Sequence, residues 1–170
     1  MEQNHIIIDV STKKYPMQFA IIDAEDVEKV GKKHWYVCKC DWNGYTKLYP
    51  ATKINGKLVR LHRFIMNAKK GQIVDHINNN GLDNRKSNLR FVTHQQSMWN
   101  RKLNKLNNKS RFEGVSRVSL TRKLKKPFYA RISENGKLKH LGYFSTENEA
   151  HETYEKEATR IKGEYKRKEE

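Results

Sequence analysis

The sequence predicts an α+β protein made of two small modules joined by a basic linker. Of its 170 residues only 36% are hydrophobic, so one large core is not expected, whereas 3 Trp, 8 Tyr and 6 Phe can anchor small cores. Lys and Arg number 35 against 19 Asp and Glu, a net charge of +16 that requires an anionic partner such as nucleic acid. Nucleic acid and an anionic membrane surface are the two common partners of such a charge, and we expect nucleic acid and no membrane. No run of about 18 apolar residues is present, so we expect no membrane-spanning segment.

The first part of the chain predicts a β-rich scaffold over residues 1–54. Strand patterns are found at residues 5–10, 19–23, 34–41 and 47–52, and from residue 58 onward. The pair Asn55-Gly56 predicts a turn, and a short acidic helix is expected to start at residues 23–26. Residues 61–66 are expected to form a buried helical turn.

Cysteine use and the N-terminus favour an intracellular protein. Cys38 and Cys40 are the only two cysteines, too close together for an ordinary disulfide and too few for a zinc knuckle, so we expect them to pack. The first nine residues lack a basic start and a small-residue cleavage site, which argues against a signal peptide.

The stretch from residue 73 to residue 102 carries the most chemistry. Its pattern predicts a strand, an Asn-rich loop, a second strand and then a helix that begins at His94. This order can bring Asp75 and His76, both on the first strand, against side chains of the helix. We expect such an arrangement to enclose a single metal ion.

These residue types suit the hydrolysis of a phosphodiester bond, which needs an activated water and neutralisation of the charge on the phosphate. His76 can accept a proton from water, because a free imidazole has a pKa of about 6.5. Asp75 offers the hard oxygen that Mg²⁺ prefers, and one carboxylate can suffice because Mg²⁺ keeps several waters. Asn88 can hydrogen-bond across the loop and orient the imidazole. Adjacent Asp and His also occur by chance, and Asn-rich loops are often only turns, so both interpretations stay open at this point.

Positive charge is concentrated in the middle of the chain. Residues 101–140 hold 13 basic and 2 acidic side chains, whereas residues 141–170 hold 6 and 8. Residues 104–111 are mostly polar and have no sustained period, which predicts a basic linker. Such a linker either lies along phosphates or is a solvated tether, and the sequence favours neither.

Residues 112–166 predict a three-stranded antiparallel sheet packed on one helix. Strand patterns lie at 114–120, 128–133 and 137–144, and Asn135-Gly136 is a strong signal for a two-residue hairpin turn. Thr146 and Glu149 predict a capping box at the start of the helix, and Gly163 stands where the helix should end. The predicted apolar face of this helix consists of Ala150, Tyr154, Ala158 and Ile161.

The predicted strands of this second module are basic, whereas its helix is acidic. Phosphates would be repelled by the helix, so we expect the sheet to offer its other face, with Arg131, to a DNA groove. The alternative is a basic surface that has no partner.

Three motifs in the first module resemble those of the HNH (ββα-metal) nucleases of the homing-endonuclease type. They are Leu61-His-Arg63, Val74-Asp-His-Ile-Asn78 and Asn88-Leu-Arg-Phe-Val-Thr93. The resemblance implies a nuclease core at residues 55–103, with Asp75 as a metal ligand, His76 as the general base and Asn88 as the loop clamp. His62 and Arg63 belong to a recurrent element for which a core-facing and a phosphate-contacting role are both open.

The helix of the nuclease core departs from the pattern of its relatives. Relatives usually place an Asn or His, the remaining metal ligand, four residues after the Thr that ends the second strand, and here that position is Ser97. Asn100 lies three residues further along the same helix face and is the alternative ligand. The resemblance thus implies a Mg²⁺ or Mn²⁺ site made by Asp75 with Asn100 or Ser97, or else a slow or inactive nuclease.

The second module resembles an APETALA2-type DNA-binding domain. The motifs that carry this resemblance are Phe112-Glu-Gly-Val115, Tyr129-Ala-Arg-Ile132, Leu141-Gly-Tyr-Phe144, Thr146-Glu-Asn-Glu-Ala150, Tyr154 and Gly163-Glu-Tyr165. That family presents its sheet to the major groove, which implies that Arg131, Ser133 and His140 face the DNA. Ser116 stands where plant members carry a base-contacting Arg, so their specificity cannot be transferred. The full set of expected DNA contacts is Arg63, Arg90, Arg101, Lys102, Ser116, Arg117, Arg131, Ser133, Lys139 and His140.

The order of the two resemblances matches the mobile endonucleases of phages and related elements. It implies a sequence-specific homing endonuclease that nicks or cuts duplex DNA with one divalent ion. The alternative is a DNA-binding regulator built on a weak or inactive nuclease, and RNA binding is a third hypothesis. We expect double-stranded DNA as the partner, no obligate protein partner, a monomer or homodimer, and a phage-encoded protein in the cytoplasm of a bacterial host.

Overall fold

The computed structural model describes residues 4–42, 45–100, 110–118, 123–134 and 136–166. The chain divides into two compact units, residues 1–100 and residues 101–167. Each unit combines small antiparallel sheets with short helices, so the predicted mixed character of the fold is confirmed in this general form. Among the described residues, no helix is long and apolar enough to span a bilayer.

Within the part of the chain that the structure describes, the first unit contains seven strands and three short helices. They are β1 (His5–Asp9), β2 (Phe19–Asp23), α1 (Val27–Gly31), β3 (Tyr36–Trp42), β4 (Tyr45–Ile54), β5 (Lys57–Arg60), α2 (Leu61–Ile65), β6 (Ile73–His76), β7 (Leu89–Val92) and α3 (His94–Trp99). Single 3₁₀ turns at Ala24–Asp26 and Lys86–Asn88 precede α1 and β7.

The strands of the first unit form three antiparallel sheets. β1 pairs with β2, β4 lies between β3 and β5, and β6 pairs with β7. Asn55 and Gly56 both have positive φ, 50° and 75°, so the predicted two-residue turn between β4 and β5 is confirmed. The core is formed by apolar side chains from β2, α1, β3, α2, β6 and β7, such as Ile22, Leu61 and Ile65.

The two cysteines pack as expected and remain free thiols. Cys38 donates a weak hydrogen bond to the carbonyl oxygen of Tyr49 at 3.3 Å, and the Cys40 sulfur accepts one from Arg60 at 3.3 Å. Burial raises the pKa of the Cys38 thiol above its usual value. Both side chains therefore stabilise β3 against its neighbours.

In its described residues, the second unit has a three-stranded antiparallel sheet and one long helix. Its elements are β8 (Val115–Arg117), β9 (Phe128–Glu134), β10 (Lys137–Phe144) and α4 (Glu147–Lys162), followed by a 3₁₀ turn at Gly163–Tyr165. β9 is the central strand, with β8 and β10 at the edges. The buried side chains of its core come from one face of the sheet and one face of α4, namely Val115, Ala130, Ile132, Ala150, Tyr154 and Ala158.

The predicted ends of the long helix are confirmed. The Thr146 hydroxyl accepts a hydrogen bond from the backbone N–H of Glu149 at 3.2 Å, and the Glu149 carboxylate accepts one from the N–H of Thr146 at 3.4 Å. This capping box satisfies two backbone donors that the first turn leaves unpaired. Gly163 follows the last helical residue with a φ of 51°, a conformation that favours glycine.

The expected linker falls mostly outside the described residues. Ser110 and Arg111, at its predicted C-terminal end, instead bind the start of α4. The Ser110 hydroxyl donates to the Glu147 carboxylate at 2.6 Å, and the Arg111 guanidinium lies 3.5 Å from the same carboxylate. Residues 104–109, together with Arg101, Lys102 and Asn135, are not among the described residues.

Candidate active site

The candidate site is built on the hairpin formed by β6 and β7. Asp75 lies opposite Arg90 in this pair, and His76 lies opposite Leu89. Because consecutive side chains of a strand point to opposite faces, Asp75 and His76 project to opposite sides of β6. α3 packs against both strands and begins at Thr93, whose side chain forms a capping box with Gln96.

Asp75 is held by two donors. Asn100, the residue that follows α3, donates from Nδ2 to the Asp75 Oδ2 at 2.8 Å, and an Arg90 guanidinium nitrogen lies 3.5 Å from the same oxygen. Asn100 is only 1% exposed, and its Nδ2 also donates to the carbonyl oxygen of His76 at 2.8 Å. Its Oδ1 accepts a hydrogen bond from Asn79 at 3.0 Å. Asn100 thus turns its nitrogen toward Asp75, and its amide group would have to rotate to offer a metal ion its oxygen.

His76 is only 4% exposed and lies among other rings. Its ring centroid is 4.8 Å from that of His62, in an edge-on arrangement, and 5.8 Å from that of Tyr49. The Nε2 atom lies 3.4 Å from the Asn84 Oδ1, an oxygen that can only accept, so the tautomer that forms this hydrogen bond carries its proton on Nε2 and its lone pair on Nδ1. Burial lowers the pKa of His76 to about 4, which leaves the imidazole neutral at neutral pH.

Asn88 clamps the loop between β6 and β7, as the sequence predicts. Its Nδ2 donates to the Asn78 Oδ1 at 2.9 Å and to the carbonyl oxygen of Asp83 at 2.8 Å, and its Oδ1 accepts from the backbone N–H of Asn78 at 3.0 Å. The direct partner of the imidazole, however, is Asn84. Asn88 therefore acts on His76 through the shape of the loop.

The loop is also held by the scaffold strands on two sides. The backbone N–H of Ile21 in β2 donates to Leu82 at 2.8 Å, and the N–H of Asn84 donates back to Ile21 at 2.7 Å. On the other side Gly81 lies against β4, where an added Cβ would come within 2.3 Å of the Leu48 carbonyl oxygen. Lys47 reaches the loop as well, donating to the Asn79 side chain at 3.0 Å.

Both polar residues of the Leu-His-Arg element, His62 and Arg63, have structural roles. His62 is buried next to the His76 ring, and its Nδ1 has no hydrogen-bond partner. Burial lowers the pKa of His62 to about 2. Arg63 donates to the backbone carbonyl oxygens of Ala68, Lys69 and Gln72. Of the two roles left open by the sequence, the structure thus gives His62 the core-facing one and uses Arg63 to hold the segment after α2.

Two residues of the site, Asn84 and Gly81, were missed by sequence reasoning. Asn84 contacts the imidazole, and Gly81 lies against Leu48 of β4, which is distant in the chain. Asn84 belongs to the Asn-rich loop that the sequence singles out. Its spacing does not distinguish it from Asn78, Asn79 or Asn80, so the sequence does not identify it as the partner of the imidazole.

Asp75 fits a hard divalent cation, although the set of donors around it is small. Arg90 and Asn100 both contact the same oxygen of its carboxylate, Oδ2, so a cation at this atom would have to displace or join them. Ser97 precedes Asn100 by about one helical turn and lies on the same side of α3, so its hydroxyl is the next oxygen available. One carboxylate and one hydroxyl suit Mg²⁺ or Mn²⁺, since such ions keep several waters.

A separate cluster of three carboxylates is not a candidate metal site. Among the described residues, Asp23, Glu25 and Asp26 are the three carboxylates close enough together to share an ion. The Lys86 ammonium already lies 2.5 Å from Glu25 and 3.2 Å from Asp26. This cluster therefore has its cation and ties the 3₁₀ turn before β7 to the scaffold.

The expected DNA contacts of the second unit divide between the two faces of its sheet. Arg131 lies opposite His140, and with Ser133 and Ser116 these side chains point away from α4. Lys139 lies opposite the buried Ile132 and pairs with Glu157 of α4 at 2.5 Å, so it is on the helix side. Arg117 is on that side too, with its guanidinium 5.8 Å from the centre of the Phe128 ring. Lys139 and Arg117 are thus separated from the face that Arg131 occupies, because side chains alternate along each strand.

A buried imidazole and a carboxylate thus stand at consecutive positions of a clamped hairpin that is followed by a helix, and these groups suit the hydrolysis of a phosphodiester. Residues 59–98, which contain it, match a family model described as HNH endonuclease. An uncharacterized HNH endonuclease of Acanthamoeba polyphaga mimivirus is 31% identical over 153 residues, which cover 86% of this chain and 72% of that protein. The chain therefore belongs to the HNH endonuclease family. No solved structure matches it significantly.

The family match ends at residue 98 and does not include the second unit. The APETALA2 resemblance of residues 112–166 consequently stays a prediction from sequence.

Proposed function

We propose that this protein is a metal-dependent endonuclease that hydrolyses phosphodiester bonds of duplex DNA at a specific sequence, as a nick or a double-strand break. The observation that carries the proposal is the hairpin of β6 and β7, on which Asp75 and His76 are consecutive residues and where Asn100 binds the Asp75 carboxylate. Hydrolysis of a phosphodiester needs a base for the attacking water and a cation for the charge on the phosphate and the leaving oxygen. His76 supplies the base, and Asp75 supplies the carboxylate that would hold the cation.

In the proposed mechanism His76 removes the proton from the attacking water at Nδ1. The low pKa of His76 and its contact with Asn84 keep Nδ1 free of a proton at neutral pH. The water oxygen bonds to phosphorus as the bond to the leaving sugar oxygen breaks. Asp75, with Ser97 or a rotated Asn100, would hold Mg²⁺ or Mn²⁺, which when bound neutralises charge on the phosphate and the leaving oxygen. Asn88 keeps the loop, and with it Asn84, in position.

Finer assignments follow the same proposal. We infer that β6, β7 and α3 form a ββα-metal module and that the second unit is an APETALA2-type domain whose outward face, with Arg131 and His140, enters the major groove. The supporting observations are the chain order of the elements and the packing of α4 on one face of the sheet only. A homing enzyme encoded by a phage and acting in the cytoplasm of its host is the biological role that fits this arrangement.

The test is cleavage of DNA that contains a sequence selected by binding from random duplexes. With Mg²⁺ we expect supercoiled plasmid to be nicked or linearised, and with a chelator we expect no cleavage. His76→Ala should lower the rate at least about 100-fold, because a general base contributes that much or more. His34→Ala, which removes an exposed imidazole elsewhere in the same unit, should leave the rate unchanged.

Both histidine variants should bind the selected duplex like the unchanged protein. Full cleavage by the His76→Ala protein would show that another group is the base.

A second candidate is a DNA-binding regulator with a weak or inactive nuclease. It is favoured by Ser97 in place of an amide or imidazole ligand and by the nitrogen that Asn100 turns toward Asp75. In this case the protein would bind its site without cleaving it in any divalent metal. We expect Ser97→Asn to raise cleavage and to tighten Mn²⁺ binding measured by calorimetry, and an unchanged Mn²⁺ affinity would exclude Ser97 as a ligand position.

A further inference from the structure

The sheet of the second unit carries a group of rings on the face turned away from α4. Tyr129 lies opposite Tyr143 in the pair of β9 and β10, and Arg131 lies opposite His140. The ring centroids of His140 and Tyr143 are 4.7 Å apart, and that of Tyr129 is 6.0 Å from His140 and 6.3 Å from Tyr143. The Arg131 guanidinium lies 5.7 Å from the centre of the Tyr129 ring. We call these four side chains the aromatic platform.

A β-bulge makes the platform possible. His140 and Tyr143 are three residues apart, and in a regular strand they would point to opposite faces. The register shifts between His140 and Gly142, so that the extra residue, Leu141, packs toward the core while both rings stay on the outward face. The bulge therefore brings together two rings that regular alternation would separate.

The aromatic platform is open to solvent and free of negative charge. Tyr143 is 55% exposed, and His140 and Arg131 are exposed as well. The one acidic residue within the described parts of the three strands, Glu134, points to the other face, where it pairs with Arg160 of α4 at 2.7 Å. Residues 101–140 also hold 13 basic against 2 acidic side chains. An apolar, ring-bearing face in a positively charged segment is complementary to a polyanion that also presents flat apolar groups.

We propose that the aromatic platform binds unpaired bases of single-stranded DNA by stacking. In a duplex, neighbouring pairs cover the faces of each base, so a protein ring meets only base edges and the backbone. An unpaired base exposes its face, and rings on a flat sheet can stack on it whatever the sequence, while Arg131 contacts phosphate or stacks in turn. The choice of DNA over RNA rests on the proposed function, since the same chain carries the nuclease unit. The inference adds to groove binding a preference for DNA whose bases are unstacked.

The experiment uses the full-length His76→Ala protein, so that cleavage does not interfere. Fluorescence anisotropy compares a labelled single-stranded DNA whose sequence is unrelated to the selected site, its duplex and an RNA of the same sequence. We expect the single strand to bind more tightly than the duplex or the RNA. Tyr143→Ala should weaken single-strand binding about tenfold or more, and Tyr143→Phe should keep it within about twofold, because stacking needs the ring and not the hydroxyl.

The salt dependence of the affinity distinguishes base stacking from electrostatic attraction. Raising the salt from about 50 to about 200 mM should weaken every complex, but the ratio between the unchanged platform and Tyr143→Ala should persist, since stacking releases no counterions. Leu138→Ala is the matched control, because Leu138 is 65% exposed on the same face but outside the ring cluster. It should change single-strand binding by less than about twofold.

The proposal is overturned if the duplex binds as tightly as the single strand, if Tyr143→Ala has no more effect than Leu138→Ala, or if the ratio vanishes at high salt. Tighter binding of the RNA would overturn the assignment to DNA. Cleavage is measured separately on the protein with His76 intact. A protein that fails to cleave can therefore still show the predicted single-strand binding, and a protein that cleaves can still fail to show it.

Discussion

Individual residues of the site act mainly through amide groups. Asn84, Asn88 and Asn100 are all buried, and each bridges segments of backbone or side chain that a carboxylate alone could not join. An amide offers two donors and an acceptor without a charge, so it can satisfy both N–H and C=O groups of a loop that is partly buried. The Asn-rich sequence of the loop is therefore explained by hydrogen bonding within it.

Asn88 provides the clearest test of this explanation. Asn88→Ala removes three hydrogen bonds and leaves the Asp83 carbonyl and the Asn78 side chain without that partner. We expect the free energy of unfolding, measured with urea, to fall by about 1–3 kcal/mol, and cleavage to fall with it because Asn84 is no longer held. Asn80→Ala is the control, since Asn80 is exposed and its side chain accepts one local bond from Leu82. Equal losses for the two variants would contradict the clamp.

Among the elements, the loop between β6 and β7 depends on strands that precede it by 30 to 60 residues. It pairs with β2 through Ile21 and lies against β4 at Gly81. The β-rich scaffold is thus part of the site, because it sets the position of the loop from which Asn84 reaches His76.

Gly81→Ala tests the contact with β4. The new methyl group would come within 2.3 Å of the Leu48 carbonyl oxygen and 2.7 Å of the Tyr49 ring, so the loop or the strand must shift. We expect a loss of about 1–3 kcal/mol in the free energy of unfolding and slower cleavage. Gly31→Ala, in α1, meets no atom within 4 Å and should be neutral or stabilising by up to about 1 kcal/mol. Thermal unfolding and plasmid cleavage of both variants decide the question.

The features that could be predicted from sequence are those that depend on residues close together in the chain. The turn at Asn55-Gly56, the capping box of Thr146 with Glu149 and the end of α4 at Gly163 follow from local backbone chemistry. The hairpin of β6 and β7 was also predictable, because an Asn-rich polar loop separates two strands of clear pattern.

The features that could not be predicted depend on distant contacts or on a single inserted residue. His62 reaches His76 across 14 positions of sequence, and only the packing of α2 beneath β6 brings the rings together. The bulge at Leu141 shifts the register of β10 and decides which side chains face outward. Lys139 was expected among the DNA contacts, and the register places it on the helix side of the sheet, beside Glu157.

In the whole molecule, the net charge of +16 arises mostly from residues 101–140, whereas α4 carries the acidic side chains of the second unit. If DNA binds the outward face of the sheet, phosphates approach Arg131 and stay away from the Glu residues of α4. Arg131 and Lys139 are both cations on neighbouring strands of one sheet, so charge alone does not tell which of them contacts DNA. They differ in the face of the sheet on which they lie.

This difference gives a prediction in which two basic residues serve as each other's control. The logarithm of duplex affinity falls linearly with the logarithm of salt concentration, with a slope that counts the phosphate contacts. Arg131→Ala should reduce the magnitude of that slope by about one, because it removes a contact on the outward face. Lys139→Ala should leave the slope almost unchanged, because the Lys139 ammonium pairs with Glu157 on the side of α4. The measurement is a salt titration of each variant in the His76→Ala background, and equal slopes for the two variants would mean that DNA does not distinguish the faces of the sheet.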